Sequence, residues 1–460
     1  MDFEPALTRG SRRSASPPEA PPGDGHAPPE KPTSRAEESA TARPRRRSRG
    51  RALAVMTAVL VMAGGVAGSV WWLGPQAAPP APSPTPTPSA SLDPLLTPAD
   101  LGTLGGTTWG TASAPTTSSD GYPVCLPAEG GTLPAPDRTA RRILAADNQS
   151  GYMTHVVETY ADAAAAQRAY TTRLQQAGSC ADTEAFIVDT RTITGLADAA
   201  FATHIEVQAE SPEHHGLVIS RTGRNLSMID VSSAEPTPLE DTAAVAARPL
   251  ARLCSGGEGA CPASVSLVAA LPAAGQFPGW LIEADLPRIT AGAGRWGATR
   301  PSPVLTILGS QCEAVSLKKV SDAASSSQRT LLLADDPSAP AGFGIDQVVY
   351  TFASAKQAKS FGDKLGGNLA DCADRVPTAA VKKGPSTKGE AADGVAFSGR
   401  SFLITQKTAE DEEVPFRVGV VRVDDRVAYL LANPSAEFDF SADQWKAIMI
   451  RTAQRVSQLP

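Results

Sequence analysis

The sequence predicts an α+β protein. Two tandem domains, each an antiparallel β-sheet flanked by helices, follow one N-terminal transmembrane helix and a disordered tail. Three observations carry this reading. An uncharged run of 23 residues extends from Ala52 to Gly74, a long internal repeat follows it, and each copy of the repeat passes from strand to helix to hairpin to closing helix.

The apolar run comes first in the argument because it sets topology. At helical rise 23 residues span about 34 Å, enough for a hydrocarbon core of roughly 30 Å. Arg43, Arg45, Arg46, Arg47, Arg49 and Arg51 precede it and no positive charge follows closely, which predicts a cytoplasmic N-terminus. Trp71 and Trp72 stand where an interfacial aromatic belt belongs. The basic region is too long for the start of a cleaved signal peptide, and no Cys follows for lipid attachment. The expectation is an uncleaved signal anchor in the cell membrane, with the C-terminal domains extracytoplasmic.

Residues 1–51 hold 11 Lys and Arg against 7 Asp and Glu, few large apolar side chains and many Pro and Ser. Such a tail cannot bury enough surface to offset chain entropy and is expected to be disordered. Residues 75–94 contain eight Pro and read as an extended linker. From residue 52 onward, 31 basic residues face 41 acidic ones, so the folded part lacks the basic field that nucleic-acid binding needs.

The repeat is carried by spacing. Leu96-Thr97-Pro98-Ala99-Asp100-Leu101 matches Leu281-Ile282-Glu283-Ala284-Asp285-Leu286, and Trp109-Gly110 matches Trp296-Gly297. The next Cys lies 16 residues after each Trp, at Cys125 and Cys312. Val156 to Ala163 parallels Val348 to Ala355, and the following Cys lies 20 residues after Tyr160 and after Phe352, at Cys180 and Cys372. Two copies mean duplicated globular domains rather than a solenoid. The expected bounds are 95–262 and 281–460, joined by a Pro- and Gly-containing junction, 263–280, that few contacts cross.

Within each copy, Asp162 or Ser354 offers an N-cap to a helix expected to stop at Gly178 or Gly366. Hairpins turn at Thr222 to Asn225 and at Asp424-Asp425. Ser441 and Gln444 form a capping box before Trp445, Ile448, Met449, Thr452 and Val456, which share one helical face.

Matched cysteines should pair alike, giving Cys125–Cys180 and Cys312–Cys372 and leaving Cys254 with Cys261. Each long bridge is worth about 4 kcal/mol in the loop-entropy model. Even Cys usage of this kind indicates an oxidising compartment, and no CxxC pair suggests a metal.

No catalytic constellation emerges, so the chain reads as a non-enzyme without cofactor or metal. Glu213-His214-His215 lacks the i, i+4 spacing of a zinc helix and is expected in a solvated loop. Ser316 and Lys319 form a lone SxxK without its usual partners. Trp109 and Trp296 recur, as core residues or as the lining of a ligand cleft.

Taken together, the Leu-x-x-Ala-Asp-Leu run, the Trp-Gly pair, the Cys spacings and Tyr-Ala-Asp-Ala-Ala resemble the PknH-like extracellular sensor domain of actinobacterial kinases and envelope lipoproteins. The resemblance covers roughly 92–255 and, more weakly, 275–460. It implies an antiparallel sheet flanked by helices with a groove for an unidentified ligand. Here the domain is duplicated, 51 disordered residues leave no room for a kinase, and Phe352 and Ser354 replace Tyr160 and Asp162. The expected role is therefore a single-pass membrane protein with extracytoplasmic tandem ligand-binding or sensor domains. The alternative is a cell-envelope scaffold that holds partner proteins and takes no small ligand.

Overall fold

The computed structural model describes residues 93–112, 121–128, 132–180, 184–256, 258–409 and 412–460. The tail, the apolar run 52–74 and the linker as far as residue 92 lie outside the described residues, and with them the expected membrane helix. Among the described residues no helix is long and apolar enough to cross a membrane.

The first copy comprises α1 (Pro98–Leu101), β1 (Trp109–Thr111), β2 (Arg138–Ala146), β3 (Gly151–Thr159), α2 (Ala163–Ser179), β4 (Ala185–Thr194), β5 (Ala199–Val207), β6 (Glu213–Thr222), β7 (Asn225–Ser233), α3 (Leu239–Leu253) and β8 (Ser266–Ala269). The second comprises β9 (Arg295–Ala298), β10 (Ala323–Ala334), β11 (Gly344–Phe352), α4 (Ala355–Ala370), α5 (Cys372–Arg375), β12 (Ala379–Lys383), β13 (Thr387–Glu390), β14 (Ala396–Ala409), β15 (Glu412–Val423), β16 (Arg426–Ala432) and α6 (Ala442–Val456).

Each copy folds into one antiparallel sheet. The strand orders are β1-β2-β3-β7-β6-β5-β4-β8 and β9-β10-β11-β16-β15-β14-β12, with β13 also paired to β14. Apart from β8 and β13 the two orders are the same. Register agrees as well: Thr159 faces Asn225 where Thr351 faces Arg426, and Trp109 faces Ala146 where Trp296 faces Leu333. Duplication is thus written in the hydrogen bonding as well as in the residue spacing.

Helices cover both faces of each sheet, which explains why the strands are apolar on both sides. In the first copy α3 covers the face with Trp109, Leu144 and Val218, and α2 covers the face with Ile219 and Met228. In the second, α6 seals Trp296, Phe440 and Met449, and α4 seals Tyr350, Ile404 and Tyr429. The expected caps form. Asp162 accepts from the Ala165 amide, Ser354 from the Gln357 amide, and Ser441 closes a capping box with Gln444.

Two local expectations are corrected. Gly366 does not stop its helix, which continues to Ala370, whereas α2 ends at Ser179, one residue past Gly178. Both are glycine because something lies against them. A Cβ at 178 would meet the Ala273 carbonyl oxygen at 2.2 Å, and one at 366 would meet Arg400 Nη1 at 2.9 Å. The segment 263–280 is also more than a junction, since β8 adds a strand to the first sheet.

Contacts between the copies are extensive, and both sheets fall in one compact unit. Leu281 enters the core under α6, whereas its neighbours Ile282 and Ala284 enter the core under α2. Arg288 donates to the Gln208 carbonyl (2.5 Å) and pairs with Glu184 (2.6 Å). Arg451 donates to the Ile187 carbonyl (2.8 Å). The second copy therefore completes the hydrophobic core of the first.

One set of polar contacts occurs twice. The Leu96 amide donates to His155 Nδ1 (2.9 Å), and the Leu281 amide donates to Gln347 Oε1 (3.0 Å). Arg142 Nη1 donates to the Leu96 carbonyl (2.9 Å), as Arg329 Nη1 does to that of Leu281 (2.5 Å). Asp100 takes both terminal nitrogens of Arg252 at 3.0 Å, and Asp285 takes Arg455 at 2.8 and 3.0 Å. Asp100 also accepts from the Thr97 amide, and Asp285 from that of Ile282. The repeated leucine–aspartate motif is a clip joining the leader of each copy to its sheet and last helix.

His155 is fully buried, and because its Nδ1 accepts, its Nε2 carries the proton and donates to Ser227 Oγ (3.0 Å). Burial, reinforced by Arg252 and Arg142, lowers its pKa from 6.5 to about 3. The folded value lies below the unfolded one, so this contribution to stability is complete above about pH 6.5 and is lost as pH falls toward 3. In urea titrations His155→Gln should keep the fold and flatten that acid loss, which approaches about 1.4 kcal/mol per pH unit. An unchanged acid slope would contradict the role given to His155.

The shared core makes a second measurement informative. Ile282→Ala should cost about 2–4 kcal/mol and reduce amide-exchange protection in β3 and β6 of the first copy. Loss confined to the second copy would show that the two cores are energetically separate.

Candidate functional site

The six cysteines pair as Cys125–Cys180, Cys254–Cys261 and Cys312–Cys372. Three disulfides indicate an oxidising, extracytoplasmic location. Trp109 and Trp296 are 9% and 8% exposed and lie in the cores under α3 and α6. Their indole N–H groups are bonded to the carbonyls of Leu104 (3.0 Å) and Pro287 (3.2 Å). The two rings thus occupy core positions.

Glu213-His214-His215, expected in a loop, instead opens strand β6. The loop reading missed that this strand pairs along its whole length with β5 and β7. His215 is buried against Asp230 (3.0 Å). Burial opposes its charge most strongly, but the Asp230 hydrogen bond and the charges of Asp230 and Glu213 together outweigh burial and raise its pKa. Among the described residues no group of three or more His, Cys, Asp and Glu is placed to hold a metal ion. Ser316 and Lys319 are exposed on the rim of a shallow groove with Ser321, Asp322 and Lys364, and no hydrogen bond joins their side chains.

The strongest site comes from comparing the copies position by position. Counting along the matched helices, Tyr170 of α2 corresponds to Gly362 of α4, and Leu174 corresponds to Gly366. Counting across the matched registers, Phe201 of β5 corresponds to Arg400 of β14, Asp198 to Phe397, and Arg221 to Arg422. In the first copy Tyr170 and Phe201 are buried on the face beneath α2. In the second copy two glycines and an arginine stand in the place of three large apolar side chains. A cleft of about 260 Å³ opens there, lined by Gly362, Asp363, Lys388, Ser398, Arg400 and Arg422 among others.

The sheet supplies the geometry. Ser398 on β14 is flanked by its cross-strand partners Lys388 on β13 and Arg422 on β15. Directly paired residues lie about 5 Å apart and project to the same face. Arg400, two residues along β14, projects to that face as well. Its side chain lies along the gap left by Gly366 and reaches Asp363 (3.2 Å). An added Cβ at Gly362 would touch only Val427, at 3.7 Å, so the opening there is empty space. A glycine inside a helix costs roughly 1 kcal/mol relative to alanine, which α4 bears at Gly362, Gly366 and Gly367.

The charge balance differs between the copies too. In the first, Asp198 neutralises Arg221 (3.1 Å). In the second the position of that acid holds Phe397, and among the described residues Arg422 and Lys388 make no ion pair. Asp363 is the one carboxylate lining the cleft. The hydrogen bond from Lys359 lowers its pKa, with Arg400 and Arg422 adding to the effect. The result is a concave surface carrying three cations against one acid. It can hold an anion by charge-assisted hydrogen bonds while Asp363 accepts from a hydroxyl.

Sequence reasoning passed over Gly362, Arg400 and Arg422. The signal available was the pair of glycines four residues apart within a helix, where the other copy has Tyr and Leu. No protein-family model matches the chain, and no curated protein matches it.

Proposed function

We propose that this chain is a single-pass membrane protein of the cell envelope whose tandem extracytoplasmic domains capture a ligand without catalysis. On this reading the N-terminus is cytoplasmic and the apolar run 52–74 is the anchor. The second domain carries the binding cleft beneath α4, and the first is its support. The observation that carries the proposal is the replacement of Tyr170, Leu174 and Phe201 by Gly362, Gly366 and Arg400. A duplicated core position ordinarily keeps its volume, because a void there loses packing contacts. An opened helix–sheet interface with convergent polar groups is the arrangement of a ligand site. The resemblance of the repeated motifs to the PknH-like sensor domain, which implies a ligand groove, is in keeping with this role.

Two measurements test the proposal. Native mass spectrometry of the full chain extracted from its own envelope should show a bound small molecule, and Gly362→Tyr, which restores the side chain of the first copy, should remove it. Gly362→Ala should retain the fold and weaken retention of the same adduct. An adduct that survives Gly362→Tyr would refute the cleft. For topology, a Cys introduced at Ser14 should be shielded from an impermeant thiol reagent in intact cells, and one at Ser89 should react; the opposite pattern would reverse the orientation.

A further inference from the structure

We infer that the cleft beneath α4 binds a small phosphorylated polyol, its phosphate held by Lys388, Arg400 and Arg422 around Ser398 and its hydroxyls by Asp363. This deepens the ligand-capture reading and rests on it. Four features of the cleft specify the chemistry.

The first is the sign of the charge. From residue 52 onward the chain carries ten more acidic than basic residues, yet this cleft concentrates three cations beside one carboxylate. A local cationic site on an acidic body repels anions everywhere else and selects for one placed there. The second is the unpaired state of Arg422 and Lys388. The first copy pairs Arg221 with Asp198, whereas the second has lost the acid and kept the arginine. An arginine kept without its partner is available to an external anion.

The third feature is arrangement. Lys388 and Arg422 approach Ser398 from opposite sides, on neighbouring strands, and Arg400 lies further along the same strand face. Donors converging from three directions, with a hydroxyl at the centre, match the oxygens of a tetrahedral phosphate. A planar carboxylate is satisfied by one arginine. The fourth is size and polarity. About 260 Å³ exceeds what an inorganic anion fills and admits a ring beside it. Asp363 at the rim, half exposed and already ionised by its Lys359 and Arg400 contacts, is an acceptor suited to hydroxyl groups.

A free sugar or inositol phosphate and the headgroup of an inositol lipid share this chemistry. Calorimetry on the full chain in phosphatidylcholine nanodiscs separates the outcomes. Inositol 1-phosphate should bind, more tightly than inorganic phosphate, and the affinity should fall as salt is raised. Neutral inositol should not bind. Arg422→Gln and Lys388→Gln should each weaken binding roughly tenfold or more with the melting temperature unchanged, and Arg422→Lys should recover part of the loss. Weaker apparent binding of the free probe in discs that also contain phosphatidylinositol would assign the site to the headgroup; unchanged binding would assign it to a soluble phosphate.

Failure to bind either phosphate probe, equal binding of inositol and its phosphate, tighter binding of glucuronate, or an unaffected Arg422→Gln variant would each overturn the inference. If the phosphate probes fail while a neutral adduct of the native chain is still lost in Gly362→Tyr, the anion assignment falls and the ligand-capture reading stands. If the adduct persists in Gly362→Tyr, the cleft itself is refuted.

Discussion

The architecture depends on satisfying one buried leucine backbone in each copy. Leu96 and Leu281 are fully buried, so their N–H and C=O groups have no access to water. An unpaired buried amide costs on the order of 1–3 kcal/mol, and each leader carries two such groups. The sheet answers with an acceptor on the third strand, His155 or Gln347, and a donor on the second, Arg142 or Arg329. Those arginines, and the Arg252 and Arg455 that grip Asp100 and Asp285, are charges held in place by the motif itself. Leader, sheet and last helix then form one connected unit in each copy. Exchanging His for Gln at the acceptor keeps the hydrogen bond while changing its sensitivity to acid.

Away from the clip the copies have diverged by relocating their buried charge. In the first, Glu158 pairs with Arg173 of α2 and accepts from the Tyr160 hydroxyl (2.6 Å). The matching positions in the second are Tyr350 and Leu365, which carry no charge. On the face covered by α4 the second copy buries Glu313 instead, beside Cys312, and it accepts from Ser310 and from Tyr429 (2.5 Å). The first copy has Leu126 and Met228 in those places. Each copy therefore buries carboxylate on the face covered by its first long helix, Glu158 and Asp230 in the first and Glu313 in the second, with different partners. A buried ion pair contributes little to stability but leaves a heavy cost if broken. α4 carries Leu365 where α2 carries Arg173, and elsewhere along the helix the change took the form of glycines and an opened cleft.

Much of this was legible in the residues. Spacing between Trp, Cys and Tyr or Phe revealed the duplication, and pairing by matched position gave two disulfides and left the third, all three as found. Capping chemistry located the start of α4 at Ser354 and of α6 at Ser441. The leucine–aspartate motif was visible, but its partners were not, since His155 and Arg252 lie 59 and more than 150 residues away in sequence. Gly366 was misread as a helix stop, and Gly178 carries more than a stop, for a physical reason. Near the end of a helix a glycine indicates a stop when its neighbours are loose, and Gly178 and Gly366 instead face tightly placed groups. The cleft was hidden because it is an absence of volume, detectable only after strand register shows which residues correspond. His214 and His215 resisted because two polar residues after a Ser-Pro-Glu sequence look solvated, although Asp230 on the neighbouring strand was waiting for one of them.

The alternating path of Leu281 and Ile282 has a consequence for how the molecule is assembled. A ribosome delivers β1 to β7, both covering helices and the Cys125–Cys180 pair before residue 282 emerges. At that moment the face under α2 lacks Ile282 and Ala284, which supply part of its apolar contact. The earlier half must wait, topologically formed and still unsealed, until the later half begins to appear. The chain's first domain is therefore finished by the residues that open its second.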